Sequence, residues 1–110
     1  MNALVIKSDN SWKIVNQNDL DLDKLQEIVG GYIELVSVNT KINLFCNEEG
    51  KVKNLPVNTI ATKFIKTHKH FNDVLCGDVV FINNLGDDSL GLEQEELNNI
   101  IDYIEFQQNQ

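Results

Sequence analysis

Residues 25–62, LQEIVGGYIELVSVNTKINLFCNEEGKVKNLPVNTIAT, constrain the fold more than any other part of the chain. Leu22, Leu25 and Val29, with Ile28 beside them, follow helical spacing and give a short helix from about Asp21 one apolar face. Asp19, Asp21 and Asp23 crowd its start, where a carboxylate caps free N–H groups and suits the positive end of the dipole. Gly30-Gly31 stops it, because glycine enters the left-handed conformation of a helix exit without a side-chain penalty. Tyr32–Val38 and Lys41–Asn47 are then rich in β-branched and aromatic residues around Asn39-Thr40, which predicts a hairpin. Ile42, Leu44 and Cys46 alternate with Asn43, Phe45 and Asn47, so one face of the second strand is buried. Asn47-Glu48-Glu49-Gly50 is turn chemistry. Lys51–Lys53 reads as a short return strand. Pro56 suits the first position of a second helix, with Val57, Ile60, Ala61 and Phe64 at helical spacing to about Lys66.

Ala3–Lys7 and Trp12–Gln17 are strands joined by the loop Ser8-Asp9-Asn10-Ser11, with Trp12 and Ile14 on one face and Val15 on the other. His68–Phe71 is a polar connection. Leu75–Asn83 is an apolar run of strand length, which predicts a central strand buried on both faces and containing Cys76. Asn83–Ser89 is a turn-rich loop, and Glu93–Phe106 the clearest helix, with Leu97, Ile100, Ile101 and Ile104 on one side. Gln107–Gln110 is a frayed tail. The chain is thus one α+β domain over 1–110, a small mixed or antiparallel sheet with two to three helices in the order ββαβββαβα. All helices are expected on one sheet face, with 3–7 or 41–47 as an edge strand. The expected core is Leu25, Val29, Ile33, Leu35, Leu44, Ile60, Phe64, Val79, Phe81, Leu97, Ile101 and Ile104.

Three blocks, LQEIVGGYIE at 25–34, NEEGKVKNLPVNTIAT at 47–62 and GDVVFI at 77–82, resemble in order and spacing a family of unknown function, DUF3846. The resemblance spans residues 20–105. It implies an α+β fold and a setting in phages, plasmids and integrated elements of bacteria, and it brings no catalytic residues. The family's last helix usually opens on threonine or a small residue; here Gly91 stands in that place.

Charge narrows the choice of partner. The chain carries a net −8, but residues 51–70 hold five lysines and no acid, and residues 71–110 nine acids and no lysine. Without arginine or a strongly basic face, nucleic-acid binding is not expected. A basic protein partner suits the acidic surface better. No apolar run reaches the length of a membrane helix, and Met1–Asn10 lacks the form of a signal peptide, so a soluble protein of the bacterial cytoplasm is expected. Cys46 and Cys76 read as reduced, buried thiols. No cofactor is expected.

Among candidate sites, the basic segment is the most suggestive. Lys51 and Lys53, with Asn54, Asn58 and Thr59 at a helix start after Pro56, suggest a small anion or nucleotide; a solvated lysine rim is the plainer account. Tyr32, Glu34 and Val36, with Glu48 and Glu49 in the turn, form a candidate interface if their sheet face lacks a helix; burial under a helix is the alternative. His68 and His70 have too few companions for a metal site, and Glu48-Glu49 has no paired carboxylate or nucleophile. No catalytic residue is assigned. The expectation is a non-enzymatic accessory protein of a phage or mobile element that binds and modulates a host or phage protein, such as a host defence factor. A nucleotide-binding module using Lys51–Thr62 is the second reading, and a homodimer is expected.

Overall fold

The structure is a computed structural model and describes residues 1–84 and 90–109. Among the described residues, five strands, β1 (Asn2–Ile6), β2 (Trp12–Asn16), β3 (Ile33–Ser37), β4 (Ile42–Asn47) and β5 (Val79–Asn83), form one sheet in the order β2-β1-β5-β4-β3. Every neighbouring pair is antiparallel, so the sheet is not mixed. The described residues also form the helices α1 (Leu22–Val29), α2 (Thr59–His68) and α3 (Gln94–Gln108) and a 3-10 turn at Gln17–Asp19, which gives an α+β fold.

The apolar run ending at Asn83 lies at the centre, and all of β5 is buried. Its side chains alternate between two cores. Val79 and Phe81 join Leu4, Ile6, Leu44, Ile60, Phe64, Leu97, Ile100 and Ile104 beneath α2 and α3. Val80 and Ile82 join Ala3, Val5, Leu25 and Val29 beneath α1. The expectation that all helices share one face is therefore wrong. Ala3–Ile6 of β1 and Val79–Ile82 of β5 are apolar on both faces, and a two-sided apolar strand requires cover on both sides. The described residues form a three-layer sandwich, with α1 on one side of the sheet and α2 and α3 on the other.

Most local expectations are met. The Asp21 side chain caps α1 by accepting from Lys24 N–H at 2.8 Å, and Gly30 closes it at φ 82°. The hairpin pairs Ile33 with Asn47 and Leu35 with Phe45.

The second half of the 25–62 stretch departs from its reading. Lys51–Lys53 is not a return strand: Lys53 N–H donates to Glu49 O, Asn54 N–H to Lys51 O, and Leu55 N–H to Gly50 O. These are consecutive turns, and Asn54 takes the left-handed φ of 56°. Val52, the one apolar residue there, is 81% exposed, so nothing draws the segment onto the sheet. Without it, the observed order is the expected one.

α2 starts at Thr59, three residues after Pro56. Residues 56–58 are instead extended against 75–77: Gly77 N–H donates to Pro56 O, Asn58 N–H donates to Leu75 O, and Val57 bridges Cys76. This ladder also removes Leu75 and Cys76 from the expected strand, because Gly77, at φ 87°, turns the chain before β5 begins.

Other corrections follow from edges and ends. β1 and β4 are interior; the edges are β2 and β3. Leu35, expected in the core, is 56% exposed because β3 has a neighbour on one side only, and Leu22 lies outside the α1 core. Ile33 and Ile101 are half-buried. Helix α3 begins at Gln94, with Glu93 as its N-cap as expected, and runs through Gln107 and Gln108, which are not a tail. Gly91 lies where the chain crosses the N-terminus; a Cβ there would fall 2.8 Å from the carbonyl carbon of Met1. The expected loop Asn83–Ser89 lies outside the described residues beyond Asn84.

Candidate functional site

The turns that replaced the return strand form one wall of a groove. Its floor comes from the outer end of the sheet, with Glu34 and Val36 of β3 and Cys46 of β4. Asn47 sets the first wall: its Oδ1 accepts from Glu49 N–H at 2.8 Å, and its Nδ2 donates to Val29 O at 3.0 Å, tying the turn to the end of α1. Glu48, Lys51 and Val52 project from it, while Asp73 and Val74 form the opposite wall. Lys51 and Asp73 are joined by an ion pair across the opening. The groove has a volume of about 290 Å³.

This groove gathers residues from both expected sites. Glu34, Val36 and Glu48 of the candidate interface line it, together with Lys51 of the candidate anion site. Tyr32 stands at its margin, 66% exposed, with its carbonyl accepting from Glu48 N–H at 2.9 Å. Val36 is half-buried, so the row is open at its Tyr32–Glu34 end. Glu49 is exposed on the turn.

The expected anion-binding set does not converge. Lys51 is held by Asp73, and Lys53 lies over Gly31. Asn54 is an exposed turn residue, and Thr59 opens α2. Asn58 is fully buried, with its hydrogen-bonding groups turned inward. Its Nδ2 donates to Ile6 O and to Gly77 O, both at 2.9 Å, and its Oδ1 caps α2 by accepting from Ala61 N–H at 3.1 Å. Of the N–H groups expected to meet an anion after Pro56, that of Asn58 donates to Leu75 O instead. Asn followed by a helical run is an N-cap signal, and it locates this start correctly.

His68 ends α2, its ring against Phe64 at 4.6 Å between centroids and its Nδ1 3.4 Å from Asn39 Nδ2. Among the described residues, no group of three or more His, Cys, Asp or Glu is placed to hold a metal ion. Cys46 and Cys76 are free and buried. Burial, then the neighbouring Glu34 carboxylate, pushes the Cys46 thiol up to about 11, so at neutral pH it is a protonated, weakly nucleophilic group. An acid whose pKa is raised on folding stabilises the fold fully below the unfolded value and loses that contribution as pH rises through the folded one. Stability should therefore fall from about pH 9 to pH 11 by about 2–3 kcal/mol through this thiol. Denaturant melts across that range should show a flatter slope for Cys46→Ala; some slope will remain from Tyr103, which burial also shifts upward.

Fold and groove define the class: a small three-layer α+β domain with an antiparallel sheet and an acidic groove at one open edge. The family model of the domain of unknown function DUF3846 matches residues 1–105, and the chain belongs to that family. Comparison with curated proteins and with solved structures gives no match. Among the described residues, no helix is long and apolar enough to cross a membrane.

Proposed function

We propose that this protein is a non-enzymatic accessory protein of a phage or other mobile element. It acts in the bacterial cytoplasm, where it binds and modulates a host or phage protein, a host defence factor being one such target. The observation that carries the reading is the groove at the β3 end of the sheet, where Glu34 and Glu48 accompany the exposed apolar residues Val52 and Val74. Apolar side chains ringed by charge suit a protein surface, and their sign suits a basic one. The protonated Cys46 thiol and the inward-turned Asn58 support binding rather than chemistry or nucleotide capture.

Affinity purification from the bacterial host, followed by reconstitution with the identified protein in pure form, tests this. A stoichiometric complex that Glu34→Lys with Glu48→Lys weakens by about tenfold or more supports the reading. No complex, together with a thermal shift given by a nucleotide, would replace it with the small-ligand alternative, since a ligand stabilises by RT ln(1 + [L]/Kd).

A further inference from the structure

The two edges of the sheet are not equivalent. Flanking β3, Tyr32 O accepts from Glu48 N–H, and Val38 N–H donates to Ile42 O. With the register Ile33–Asn47 to Ser37–Asn43, these bonds direct the even-numbered residues of β3 towards β4. The N–H and C=O groups of Ile33, Leu35 and Ser37 therefore point away from the sheet, where no described strand lies. β2, the other edge, carries Lys13 in mid-strand, a charge of the type that discourages edge pairing. β3 carries no lysine and exposes Leu35, with Tyr32 exposed just before it. The groove opens beside this bare edge, over Glu34 and Val36.

We propose that β3 accepts a sixth strand: an extended segment of a partner protein pairs with Ile33, Leu35 and Ser37 and places a lysine or arginine over Glu34 and Glu48 at the groove. The edge supplies main-chain hydrogen bonds along about 17 Å, at roughly 3.4 Å per residue, and the groove supplies side-chain selection. Charge decides the occupant. Lys51 is matched by Asp73, whereas among the described residues neither Glu34 nor Glu48 has an ion-pair partner. A second copy is a poorer fit, since each copy carries −8 and an antiparallel pairing of two β3 strands about Leu35 brings the two Glu34 side chains into diagonal neighbours. A cationic strand meets the opposite field.

The inference rests on the protein-binding reading above and names its mode. The test titrates the full-length protein with an array of extended peptides alternating Val or Thr with Lys or Arg. A matching Glu series and peptides N-methylated at alternate residues serve as controls. Amide shifts should centre on Ile33, Leu35 and Ser37, weaken by about tenfold or more in Glu34→Lys with Glu48→Lys, and be lost with the N-methylated peptides. Leu35→Pro removes one outward N–H while sparing the β4 ladder, and should also abolish binding. Peptides of the Glu series binding equally well, N-methylation having no effect, or no response at β3 from any cationic peptide would each overturn the proposal. So would light scattering showing a dimer that Leu35→Pro dissolves, because a second copy would then occupy the edge. If the reconstituted partner complex survives Leu35→Pro and the array is silent, strand addition fails while protein binding stands. If cationic peptides bind at β3 but no partner complex forms, the edge claim holds and the wider reading fails.

Discussion

Replacing Asn58 by alanine is expected to lower the unfolding free energy by about 3–7 kcal/mol, a large share of the roughly 5–15 kcal/mol that holds such a domain together. The side chain is completely buried and makes three hydrogen bonds: to Ile6 O at the end of β1, to Gly77 O at the turn into β5, and from Ala61 N–H at the start of α2. Alanine leaves two buried carbonyls without this donor, at about 1–3 kcal/mol each, and removes a helix cap worth about 1 kcal/mol. Asn58→Asp separates the two roles. Aspartate caps helices as well as asparagine does, but it has no N–H to give and would turn a carboxylate towards two carbonyl oxygens. Equilibrium urea unfolding should find it at least as damaging as alanine. A cost below about 1 kcal/mol for Asn58→Asp would mean that capping alone matters there.

The second large effect is expected at Phe81, where Phe81→Ala should cost about 3–5 kcal/mol. The ring is fully buried in the middle strand, on residues that pair with Leu4 on one side and Leu44 on the other. It meets the Phe64 ring edge-on at 5.5 Å, which couples the sheet to α2. Leu97→Ala, in α3 of the same core, should follow at about 2–5 kcal/mol. Leu35→Ala, on the exposed edge strand, should stay below about 1 kcal/mol, and urea midpoints for the three variants would show the contrast directly.

These contrasts follow the line between what was legible in the residues and what was not. Phe81 was legible: an unbroken apolar run between turn residues is a two-sided strand, wherever its neighbours come from. Asp21 and Gly30 were legible because capping and left-handed φ are decided within a few residues of the chain. Leu35 was not. Its alternation with Glu34 and Val36 correctly reports a strand but carries no information on whether that strand is an edge. Asn58 was half legible: its type announces a cap, while its two other partners lie 52 and 19 residues away in the chain. Lys51–Lys53 misled because a lone valine between lysines has strand spacing but too little apolar surface to hold it on the sheet.

The site divides in the same way. Glu34, Val36, Glu48 and Lys51 could be singled out from turn chemistry, alternation and charge, as two separate candidates. Asp73 and Val74, in a stretch without clear period, give no signal of belonging with them. Local rules therefore determined the helices, the hairpin, the central strand and the acidic balance, because propensity, capping and periodicity act over a few residues. Which strands became edges, which face each helix covers and which turns enclose the groove were decided only when distant segments packed, since those outcomes depend on contacts between residues that no short-range pattern links.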